Sequence, residues 1–167
     1  MMHPILKATH DLGQSVWLDF ISRELMNTGQ LERLISEGLR GMTSNPTIFQ
    51  QAVSKSSDYD RDIEQGIERE ETAQRIFEHI AVTDVARAAD FIRPVYDQTN
   101  GADGYVSIEV SPGNAYKTQA TIEEVQRLWK NVNRPNVMVK IPGTDAGLPA
   151  IKAMLAQGIN INITLLF

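Results

Sequence analysis

The sequence predicts an α/β protein with a parallel sheet and crossover helices. Short runs rich in Val and Ile recur along the chain, and stretches with helical spacing of apolar residues separate them. Polar residues inside the apolar runs fall at or near the C-terminal ends, where sites form in α/β folds. At 167 residues the chain has the length of a single domain and can bury a real core.

The elements follow in order. Val16-Trp17-Leu18-Asp19-Phe20 reads as the first strand, and Leu31, Leu34 and Ile35 mark a short helix. Gly38 to Thr43 reads as a weak second strand. Asn45 and Pro46 then form an N-cap and first-turn pair that opens a helix carrying Ile48, Phe49 and Val53. A helical insert near 54–100 comes next. Ser54 to Arg69 is polar, with Ser56-Ser57-Asp58 as a loop or cap, and the charges from Asp58 to Glu71 read as a solvated face. Two helices are expected after it: Thr72 to Ile80, and a second capped by Thr83 whose stripe runs from Val85 to Tyr96, with Pro94 as a kink or early end.

Gly101-Ala102-Asp103-Gly104 is a turn before the third strand, Tyr105 to Val110. Thr121-Ile122-Glu123-Glu124 has the pattern of a capping box and predicts a helix start, with Val125, Leu128 and Trp129 on its buried side. Val137 to Ile141 is the fourth strand, Leu148 to Ala156 a helix, and Ile159 to Phe167 the fifth strand. Trp17 and Trp129 are expected in the core. A complete (β/α)8 barrel needs roughly 250 residues and eight strands. Five strands leave two readings, an open α/β sheet or a barrel truncated after about its fifth strand, with the chain as a single domain over residues 1–167.

Composition removes several classes of function. Sixteen Lys and Arg against twenty-one Asp and Glu give a net charge of −5, and no basic patch points to nucleic acid. No apolar run of about 20 residues is present, so no membrane span is expected. Cysteine is absent, which excludes disulfides and thiolate catalysis, and the His residues at 3, 10 and 79 lack metal-ligand spacing. No metal or cofactor is expected, and the N-terminus lacks a secretory apolar region, so a cytoplasmic location is expected.

The candidate chemistry lies on the strands. Lys140, flanked by Val139 and Ile141, would lose hydration of its ammonium, and desolvation favours the neutral amine that attacks a carbonyl. The alternative is a strand-end lysine that reaches water or pairs with a carboxylate. Asp19 and Glu109 are carboxylates in apolar strands. They either divide acid and base work or leave one of them neutralising Lys140. On local evidence Asn45 is a helix cap rather than a ligand, with a side chain poorly suited to do both. Asn162 and Thr164, at i and i+2, share one face of the fifth strand.

Six segments carry a resemblance to the transaldolases, class I Schiff-base aldolases. They are Gln14 to Asp19, Gly41-Met42-Thr43-Ser44-Asn45-Pro46-Thr47-Ile48-Phe49, Val106-Ser107-Ile108-Glu109-Val110-Ser111-Pro112, Leu128-Trp129 with Val132 to Asn136, Val139-Lys140-Ile141-Pro142-Gly143-Thr144 with Gly147 to Ile151, and Gly158 to Phe167. The resemblance implies a (β/α)8 barrel of aldolase type and a metal-free transfer of a dihydroxyacetone unit from a ketose phosphate, sedoheptulose 7-phosphate or fructose 6-phosphate, to an aldose phosphate in the pentose phosphate pathway. Lys140 would form the imine and Asp19 would take the proton from the hydroxyl that becomes the aldehyde. Glu109, through a water shared with Thr164, would shuttle protons. Asn45 and Asn162 would hold hydroxyls of the three-carbon unit. Asn114-Ala115-Tyr116-Lys117 and Gly143 depart from the family's usual pattern.

The family's phosphate-binding Ser and Arg residues come from strands six and seven, beyond Phe167. The expectation is therefore an N-terminal part of a transaldolase that works with sugar phosphates once a C-terminal segment complements it, and that oligomerises through open edges when alone. The alternatives are an inactive half-barrel fragment and a fructose 6-phosphate aldolase-like lyase, with water rather than an aldose as acceptor.

Overall fold

Parallel strands can be joined only through crossovers of about a dozen residues or more, and a crossover lies between each strand of this chain and the next. The computed structural model describes residues 2–43 and 45–166. Its strands are β1 (Trp17–Asp19), β2 (Gly41–Thr43), β3 (Tyr105–Glu109), β4 (Val137–Pro142) and β5 (Ile161–Thr164). They form one sheet in sequence order with every neighbouring pair parallel. An open doubly wound sheet reverses its strand order at a switch point; this one does not, and the arrangement is that of a (β/α)8 barrel carried through its fifth strand.

The helices are α1 (Pro4–Asp11), α2 (Arg23–Asn27), α3 (Gln30–Glu37), α4 (Pro46–Ser54), α5 (Asp60–Glu68), α6 (Ala73–Gln98), α7 (Thr118–Val132) and α8 (Gly147–Ala156). Single 3₁₀ turns occupy Ser57–Tyr59 and Pro112–Asn114. Among the described residues no helix is long and apolar enough to cross a membrane.

Alternation divides the sheet into two faces. Met42, Val106, Ile108, Val137, Val139 and Ile141 point outward and are buried, in one core with Val85, Ala88 and Ile92 of α6, Val125 and Leu128 of α7, and Met154 of α8. Each of these Val, Leu, Ile and Met side chains contributes about 1.5–3 kcal/mol relative to exposure. The residues between them, including Asp19, Thr43, Ser107, Glu109, Lys140, Asn162 and Thr164, share the other face.

Several expectations shift. Thr72 caps one continuous 26-residue helix, α6, which runs through Pro94 to Gln98; Thr83 lies in its interior and its hydroxyl donates to the His79 carbonyl. The expected break fails because the apolar stripe is unbroken across Ile80 and Val85, and burial against the sheet outweighs one lost backbone bond. The T-x-x-E pattern does not start a helix. α7 begins at Thr118, buried Thr121 donates to the Asn114 carbonyl, and Glu124 accepts from the Ser111 N–H and hydroxyl and from Asn114 Nδ2. β5 is shorter than read, Ile161–Thr164, and Phe167 lies outside the described residues. Trp17 is half-buried on the inner face, where a Cβ on Gly41 would meet its indole at 2.2 Å; Trp129 packs against the outer core. α1 and α2 had no strong apolar period and were not expected.

The charge run after Asp58 is not wholly a solvated face. Arg23, at the start of α2, bonds Asp84 Oδ1 at 2.9 Å and the Asp58 carbonyl at 2.7 Å, pairs with Asp62, and lies over the Tyr59 ring. Asp84 is 1% exposed, and burial holds its carboxyl above the usual carboxylate range despite the guanidinium. Burial also pushes the Tyr59 phenol up to about 12. Arg23→Ala is expected to cost about 3–5 kcal/mol, the range for stranding a buried charge. The deficit should shrink as pH falls through the raised Asp84 value, because the protonated carboxyl no longer needs a cation. Urea unfolding of both proteins across pH checks this; a deficit constant with pH would refute it.

Candidate active site

The register of the sheet gathers the site. Glu109, Lys140 and Asn162 are level on adjacent strands β3, β4 and β5, and Asp19, Thr43 and Ser107 are level on β1, β2 and β3. All six point to the inner face, since each differs by an even number of positions from a neighbour on its strand or pairs directly with one that does.

Lys140 and Glu109 meet there. Lys140 Nζ lies 3.4 Å from Glu109 Oε2, and the two side chains are 14% and 16% exposed. The separation is that of an ion pair, and Glu109 Oε2 is buried without a hydrogen-bond partner. The pairing open in the sequence is therefore decided in favour of Glu109 as the lysine's partner. Asp19 is exposed at the end of β1, three strands away, and lines a cleft with Gln51, Lys55 and Tyr59.

Asn162 is tied across the sheet. Its Nδ2 donates to Ser107 Oγ at 2.9 Å, spanning from β5 to β3 over β4. Strands lie about 4.8 Å apart, so a bond across two of them reports a concave face. Ser107 is fully buried; sequence reasoning did not single it out, although its place two residues before Glu109 puts it on the same face. Thr43, between Asp19 and Ser107 in register, carries a buried hydroxyl with no partner and was also missed.

Asn45 caps α4, its Oδ1 accepting the Ile48 N–H at 2.9 Å. The cap occupies one end of the amide and leaves the Nδ2 donors for other use, so capping and binding do not exclude each other. Asn45 and Glu109 line one small pocket with Phe49, Phe77 and Ile108. Ser44, in the same segment, lies outside the described residues. Thr164 closes β5, and its carbonyl accepts the Gly143 N–H at 2.8 Å, which ties the loop after Lys140 to the rim. Thr144 Oγ1 donates to the Ala115 carbonyl at 2.5 Å, joining that loop to the one after β3. Lys140, Glu109, Asn162 and Ser107 are thus in one cluster, with Asp19, Asn45 and Thr164 at the same strand-end rim and without a direct bond to the lysine.

Comparison with known proteins supplies the context. A family model described as transaldolase/fructose-6-phosphate aldolase matches residues 16–167. A transaldolase 2 of Nostoc sp. is 48% identical over 94% of this chain and 42% of its own length. The transaldolase of Thiobacillus denitrificans is 44% identical over 98% of this chain and 46% of its own length, and that of Mycobacterium marinum is 44% identical over 99% and 44%. The chain therefore spans less than half the length of these curated relatives.

Removing either member of the ion pair leaves the other charge on a half-dry face. Lys140→Met is expected to cost about 1–3 kcal/mol, and Lys140→Met with Glu109→Gln should recover most of that loss, because neutral groups need no countercharge. Urea unfolding of the single and double variants measures the coupling; additive losses would show that the pair does not act as a unit.

Proposed function

The chain belongs to the transaldolase/fructose-6-phosphate aldolase family, and on that premise we propose that it carries the Schiff-base half of a transaldolase site, acting on sugar phosphates of the pentose phosphate pathway. The observation that supports this best is a lysine on the inner face of a parallel sheet, 3.4 Å from one carboxylate and beside a tethered asparagine.

A Schiff base needs the amine neutral, and the proton must go somewhere. Glu109 is the nearest acceptor. With Nζ deprotonated, the amine adds to the C2 carbonyl of a ketose phosphate such as sedoheptulose 7-phosphate or fructose 6-phosphate. Loss of water then leaves a protonated imine. Glu109, with a water shared with Thr164, carries the protons that this dehydration requires.

Asp19 takes the proton of the C4 hydroxyl. The C3–C4 bond breaks, its electrons pass to the iminium, and an aldehyde phosphate leaves. The remaining dihydroxyacetone enamine adds to the carbonyl of a second aldose phosphate, and hydrolysis frees Lys140. Asn45 and Asn162 hold hydroxyls of the three-carbon unit.

The protein incubated with fructose 6-phosphate and reduced with borohydride should gain a three-carbon adduct on Lys140, read by intact mass and by the labelled peptide. Lys140→Arg should gain none. Asp19→Asn should trap the uncleaved six-carbon imine, because addition survives and cleavage does not. An adduct on another lysine would overturn the assignment of Lys140. Product released at the same rate with and without an aldose acceptor would favour the lyase reading over transfer.

A further inference from the structure

We propose that Ser107 is a positioning residue: it fixes the amide of Asn162, and through it the acceptor offered to the C1 hydroxyl of the donor ketose. The inference rests on the reading of Lys140 as the imine-forming lysine.

The direction of the substrate follows from strand order. Lys140 on β4 takes C2, and Asp19 on β1 takes the proton at C4, so the chain from C2 through C3 to C4 runs toward β1. C1 therefore points the other way, toward β5, where Asn162 is the residue level with Lys140. An asparagine amide has two chemically different ends, and a hydroxyl held by either is held differently. At Asn162 one end is already committed, since Nδ2 donates to Ser107 Oγ at 2.9 Å.

That bond leaves Oδ1 as the free acceptor for a substrate hydroxyl. Ser107 can hold it firmly because it has no exposure to solvent and sits in β3 between the register positions of Thr43 and Met138. Without Ser107 the amide could rotate about its last torsion, which is broad and roughly two-fold. Ser107 itself touches no substrate atom; it acts through Asn162.

A merely structural serine would affect every donor alike, so the test compares donors. Imine trapping by borohydride is run at sub-saturating fructose 6-phosphate and at sub-saturating 1-deoxy-fructose 6-phosphate, which lacks the C1 hydroxyl. Ser107→Ala should reduce trapping of fructose 6-phosphate by about two- to tenfold, the size of one lost neutral hydrogen bond. Trapping of the deoxy donor should be unchanged. Asn162→Ala should show the same discrimination, the double variant no further loss, and Ser107→Thr, which keeps the hydroxyl, should recover it. An equal loss for both donors, or additive losses in the double variant, would overturn the role of Ser107 while leaving Lys140 in place. Absence of any adduct in the unaltered protein would instead overturn the reading of Lys140, and this inference with it.

Discussion

Everything at the candidate site depends on the two-residue alternation of a parallel sheet whose outer face is sealed. Met42, Val106, Ile108, Val139 and Ile141 are buried beneath α6, α7 and α8, and that burial fixes which way each intervening residue faces. A slip of one residue in β4 would send Lys140 into the helix layer and Val139 toward the site, at the cost of an unpaired charge in an apolar core. The core therefore sets the direction of the chemistry. Curvature sets its convergence, and the bond from Asn162 on β5 to Ser107 on β3 is the local sign of it.

Polar groups away from the site fasten the strands and loops around it. Buried Glu124 gathers the turn after β3 through Ser111 and Asn114. Asn136 donates from Nδ2 to the carbonyls of Ala89 and Gly104, joining the entry of β4 to α6 and to the turn before β3. Arg23 and Asp84 hold the segment that leaves β1 only a few residues after Asp19 against α6. The Asn136 and Arg23 bonds link one β/α unit to a neighbour, and those of Glu124 close the unit that follows β3. Strand-end side chains can then be held in common although they come from five strands joined by four separate crossovers.

The order and type of the strands were legible in the sequence because Val and Ile runs in a sheet buried by helices leave a strong local signal. The strand-end residues were legible for the same reason: Asp19, Glu109, Lys140 and Asn162 interrupt apolar runs. What could not be read depends on contacts distant in sequence. Local spacing fits a helix break at Thr83 and a helix start at Thr121 equally well. Only packing against the sheet decides for one continuous α6 and for the capture of Glu124 by Ser111. Ser107 and Thr43 were missed because small hydroxyl residues in strands are unremarkable until the register places them beside Asp19 and below Asn162.

The ion pair at Lys140 shows why a buried lysine read from sequence is only half a site. The structure sets Glu109 3.4 Å from Lys140 Nζ, with its Oε2 buried and without a hydrogen bond. The countercharge keeps the resting lysine from standing as an isolated charge in a dry place. In the proposed Schiff-base reaction the same carboxylate would receive the lysine's proton, so one residue would both stabilise the resting state and offer the route out of it. At 3.4 Å from Nζ, Oε2 makes no hydrogen bond, and in the proposed reaction it would be the oxygen that accepts one from a bound hydroxyl or water.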